Sequence, residues 1–156
     1  AIAQGFKEVL DESYLEYRTG QVKYLGEKLN DLGIQTILPF GGHAVYINGK
    51  NFLNHIPDEK FPAQSLVNEL YLEGGIRGVE IGNIMFGKKD KQGNDVWPKL
   101  DLVRLAFPRR VYTQSHLDYV ADVFGRIAEN KHKIKGYKIV YQAPLLRHFT
   151  IKLAPA

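Results

Sequence analysis

Two apolar segments constrain this chain most. IRGVEIGNIMF (76–86) and LDLVRLAF (100–107) each read as a strand, and the stretch between them, GKKDKQGNDVWPK, is polar and rich in turn formers. Such a pair predicts a long hairpin whose loop tolerates change. The other predicted helices and strands follow no regular strand–helix alternation. The fold class expected is therefore α+β, a small antiparallel sheet covered by helices.

The remaining elements fit that frame. Residues 1–32 read as one long helix, with Ile2, Phe6, Val9, Leu10, Tyr14, Tyr17, Val22, Leu25, Leu29 and Leu32 mostly at steps of three or four and Gly33 as a stop. No capping residue precedes Ile2, which points to a chain cut from something longer. IQTILPF and HAVYI read as short strands, with a turn at NGK (48–50). FPAQSLVNELYLEGG reads as a helix, with Pro62 at its first position and Leu66, Val67, Leu70 and Tyr71 on its apolar face. Thr113 caps a further helix whose buried stripe is Leu117, Val120, Ala121, Phe124, Ile127 and Ala128. YKIVY and LLRHFTIKL read as closing strands. A length of 156 residues fits one domain, 1–156.

One residue breaks the pattern. Arg104 sits in the middle of a strand that reads as apolar on both faces, and a buried guanidinium is costly unless an anion meets it. Either it forms an internal salt bridge, to Glu80 or Asp101, or it is a fork awaiting a ligand carboxylate or phosphate. Arg109 and Arg110 stand near the strand end and carry less information.

Several chemistries find no support. There is no cysteine, no HExxH and no close histidine pair, so no metal site is read. There is no GxSxG; Ser115-His116 sits at a helix start, where capping explains it. GVEIGN and EGGIRG match no phosphate-loop pattern. The net charge of +4 is modest and scattered, which argues against nucleic acid as partner. No apolar run approaches the roughly 20 residues that cross a membrane. His148, in LLRHFT, alternates with Leu146 and Thr150 if the segment is a strand; it is either a half-buried structural histidine or an acid–base group.

The segments QVKYLGEKL, PFGGHAV, FPAQSL, GIRGVEIG, VRLAFPRRVYTQSHLDYV and LLRHFT, in this order, closely resemble the C-terminal part of the tryptophanase family (tryptophan indole-lyases) and of its tyrosine phenol-lyase relatives. The resemblance implies the C-terminal small domain of a pyridoxal-phosphate enzyme of the aspartate-aminotransferase fold type. The long first helix, 1–32, would link it to a cofactor-binding large domain. It implies a parent that cleaves L-tryptophan to indole, pyruvate and ammonia by β-elimination, works as a cytoplasmic homotetramer and uses potassium or a similar monovalent cation. Arg104 matches the arginine that holds the substrate α-carboxylate. Ile81 matches a position that is arginine in the phenol-lyase branch, and His148 one that is phenylalanine there. His148 is thus assigned to the indole pocket or to a proton relay. The run GKKDK (87–91) imitates the family's cofactor-lysine motif but falls in the polar loop, so Lys88 and Lys89 read as solvated charges. The Schiff-base lysine is then absent from this chain, and the chain alone is expected to be inactive. Two alternatives stand beside this reading. One is a parent acting mainly on cysteine or tyrosine. The other is a free-standing basic α+β module that binds an anionic partner.

Overall fold

Asp11 decides how the chain begins. In the computed structural model, which describes residues 1–156, its carboxylate accepts the Tyr14 N–H at 2.9 Å and starts a new helix. The single helix expected over 1–32 is therefore two, α1 (Ile2–Glu8) and α2 (Glu12–Asp31), with a turn between them. The apolar spacing runs across the break because it registers faces and not caps. No residue of α1 is buried, and its Glu8 pairs with Arg109 at 2.5 Å. Helix α2 sends Val22, Leu25 and Leu29 into the core.

The rest of the chain forms β1 (Ala44–Asn48), α3 (Gly49–Phe52), α4 (Pro62–Gly74), β2 (Val79–Ile81), α5 (Asn83–Phe86), β3 (Lys88–Lys89), β4 (Asp95–Val96), β5 (Leu102–Ala106), α6 (Gln114–Asn130), β6 (Tyr137–Tyr141), α7 (Arg147–Thr150) and β7 (Lys152–Pro155). The class is α+β with small antiparallel sheets. The main sheet has the order β1-β5-β2, and β3-β4 and β6-β7 are two-stranded pairs. IQTILPF makes only an isolated bridge, Thr36 to Ile47. The turn at 48–50 continues into α3, with Asn48 as its cap. IMF leaves the strand and coils into α5.

Register decides what each strand offers. Tyr46, Arg104 and Val79 lie on one rung, and Asn48, Leu102 and Ile81 on the next rung of the same face. The opposite face carries Val45, Ile47, Val103 and Leu105, all buried against α2, α4 and α6. Strand β5 is thus buried on one face only, which corrects the reading of a strand buried on both. Helix α4 starts at Pro62 as expected and buries Leu66 and Leu70, whereas Tyr71 is 61% exposed. In α6, Leu117, Ala121, Phe124 and Ile127 are buried together with Val123, which the stripe omitted. Val120 and Ala128 pack at its margin. His116 Nδ1 accepts the Thr113 N–H at 3.1 Å, so this histidine completes the helix cap.

Candidate functional site

The outward sheet face supplies the first part of the site. Arg104 is half-buried on β5 and forms no ion pair. Its expected partner Glu80 stands on the other face, paired with Val103, because one residue along a strand reverses the side chain. Asp101 turns inward as well, fully buried. The internal salt bridge is therefore absent, and a half-exposed guanidinium is left facing outward. Ile81 shares that face, one diagonal step from Arg104, a separation that side chains of this size bridge.

The carboxyls that do not meet Arg104 meet each other and the backbone. Asp101 accepts the N–H groups of Ala63 at 2.8 Å and Asn83 at 2.7 Å, holding the first turns of α4 and α5. Glu80 accepts those of Ile84 at 2.8 Å and Met85 at 3.3 Å. Burial pushes the Glu80 carboxyl up to about 8, reinforced by the negative charge of Asp101 and a hydrogen bond to it. Burial also raises Asp101, against the pull of its two N–H donors. A carboxyl raised this far favours its protonated form, in which Glu80 can share its proton with Asp101. Gly82 is required between them, since a Cβ there would strike Asp101.

His148 supplies the second part. Its segment is not a strand. Leu146 takes a positive φ of 53° and opens the single helical turn α7, so strand alternation does not apply to His148. The histidine ring lies 3.9 Å from that of Phe149, centroid to centroid. Both line a groove of about 860 Å³ with Tyr71, Arg77, Val79 and Met85. The structure thus brings Ile81 and Arg104 together on the sheet. It sets His148 in a groove that neither of those two lines. Val79 belongs to both, pairing with Arg104 in register and lining the groove. Sequence reading missed Arg77 and Tyr71; nothing in their local pattern distinguishes them from surface residues.

The implied cofactor needs an enclosed lysine amine. Lys88 and Lys89 are exposed on β3, and Lys89 pairs with Asp95 at 2.8 Å. Lys28 and Lys50 are half-buried but paired with Asp118 and Asp58. No lysine is buried and none lines the groove. The residues of this chain therefore do not by themselves fit pyridoxal phosphate. No three or more His, Asp or Glu side chains gather to hold a metal ion, and no helix is long and apolar enough to cross a membrane.

An unpaired arginine beside an apolar residue on a helix-backed sheet face thus stands next to an open groove lined in part by aromatic side chains. Residues 8–123 match the family model described as beta-eliminating lyase, and the chain belongs to that family. It is 52% identical over 155 residues to a tryptophanase of Salinibacter ruber, covering 99% of this chain and 33% of the relative. It is 50% identical over 150 residues to a tryptophanase of Hyphomonas neptunium, covering 96% and 33%. A tyrosine phenol-lyase of Intrasporangium calvum is 46% identical over 155 residues, covering 99% and 33%. The chain spans about a third of the length of these curated relatives.

Proposed function

We propose that the chain is the small domain of a β-eliminating lyase whose substrate is L-tryptophan. The observation that carries this is that Ile81 stands a diagonal step from an unpaired Arg104 on one sheet face. Arg104 would take the substrate α-carboxylate through a two-pronged contact, fixing the amino acid on the sheet. Ile81 would pack against the benzo ring. An apolar side chain leaves a phenol oxygen without a partner, and an apolar pocket discriminates against an added hydroxyl by a factor of about 10². This favours tryptophan over tyrosine, although phenol-lyases are also among the relatives. His148 would border the leaving ring and hold or pass a proton there.

Pyridoxal phosphate would be held by the rest of the parent and would supply the electron sink for the elimination. Cleavage of the bond between the β-carbon and the ring, with uptake of one water, yields indole, pyruvate and ammonia. The same reading carries a homotetrameric, cytoplasmic parent with a potassium-like cation. The test is product analysis of the purified full-length protein with tryptophan. Equimolar indole and pyruvate are expected. Release of pyruvate from cysteine alone, without indole from tryptophan, would overturn the assignment.

A further inference from the structure

Helix α5 is a single turn, too short to persist unaided, because helix nucleation is unfavourable until several turns form. It is held at both ends by charged groups. Glu80 and Asp101 accept its first N–H groups, as described. From the other side Arg147 reaches across 63 residues of sequence: its Nε donates to the Ile84 carbonyl at 2.7 Å and its Nη2 to the Asn83 carbonyl at 2.6 Å. Gly87 leaves room for this fork, since a Cβ there would lie 2.7 Å from Nη2.

The geometry has a consequence for the two groups assigned to the leaving ring. Ile81 precedes α5 by two residues, and His148 follows Arg147 directly. His148 forms no side-chain hydrogen bond of its own that would fix it. We infer that Arg147 is a positioning residue, whose guanidinium ties the His148 turn to the α5 turn so that His148 and Ile81 keep a fixed relation to the aromatic ring. A planar fork serves two carbonyls at once, which a lysine ammonium does less rigidly. The inference rests on the proposed tryptophan-cleaving reading.

The test uses the full-length enzyme, wild type, Arg147→Lys and Arg147→Gln. Two substrates are compared: tryptophan, and an S-alkylcysteine whose thiolate leaves without any ring to bind or protonate. A displaced group costs rate steeply, so the variants are expected to lose at least about tenfold more kcat/KM on tryptophan than on the S-alkylcysteine. A purely structural role lowers both alike through the amount of folded enzyme, and equal losses, or none, would overturn the inference. Hydrogen exchange on the wild type needs no variant. Amides of 83–86 and 147–150 are expected to open together, and free exchange of 147–150 beside a protected 83–86 would contradict the tie. If wild type releases no indole, the functional reading fails and this inference falls with it. If wild type releases indole and the variants lose nothing selective, the Arg147 inference alone fails.

Discussion

Glu80 and Asp101 are both buried with no cation paired to either, and burial raises both carboxyls above their ordinary values. Asp58 adds a further negative charge that acts on Asp101, and it is itself paired with Lys50 at 2.5 Å. The two carboxyls together hold the starts of α4 and α5, and so they hold the frame around Ile81. Arg104 is left free because register turns both acids to the opposite face, where they bind backbone N–H groups.

The shared proton gives a pH dependence with a definite sign. Between the ordinary carboxyl value of 4.5 and about 8, the folded chain retains a proton on Glu80 that the unfolded chain has released. Stability therefore falls as pH rises through that window, by at most about 1.4 kcal/mol per pH unit for one proton. Glu80→Gln keeps a donor and one acceptor oxygen, enough for the Ile84 N–H, without ionising. Its melting temperature is expected to lose the decline between about pH 5 and 8 that the wild type shows. Superimposable pH profiles for the two proteins would place the proton elsewhere.

Arg104→Ala in the full-length parent would remove the contact to the substrate carboxylate that we propose. We expect a loss of about 3 kcal/mol or more in kcat/KM. The loss should be similar for tryptophan and for S-alkylcysteines, since every amino acid carries that carboxylate. Near-normal turnover would remove Arg104 from the site. A loss confined to tryptophan would move it to the ring.

Much of the fold could be read from local pattern, because local chemistry fixes it. Pro62 starts α4, and Thr113 with His116 starts α6. Arg104 announced itself as a charge in an apolar run. The misreadings arise where distant contacts decide. The Arg147 guanidinium bonds to carbonyls at 83 and 84, and LLRHFT coils where its composition suggests a strand. The break at Asp11 was readable as a cap but was masked by apolar spacing that continues through it. The salt bridge to Glu80 fails by a single residue of register: Val79, not Glu80, stands opposite Arg104.

Ile81→Arg tests the apolar half of the site. The new guanidinium would share a half-buried face with Arg104, with no carboxylate on that face to receive it. Like charges so placed repel, and a desolvated unpaired cation is costly. Tryptophan cleavage by the parent should fall at least about tenfold in kcat/KM. Unchanged kinetics would mean that position 81 does not touch the ring.

The 156-residue chain by itself is expected to release no pyruvate from tryptophan, with or without added pyridoxal phosphate, since no buried lysine is present to hold the cofactor. A yellow, cofactor-bearing chain with turnover would show that one of its exposed lysines does so.

The most direct measurement is steady-state kinetics of the full-length protein on tryptophan and on tyrosine, with indole and phenol quantified separately. The apolar Ile81 beside Arg104 predicts a kcat/KM for tryptophan exceeding that for tyrosine by about 10² or more. A higher value for tyrosine, with phenol as the product, would contradict the account at its centre.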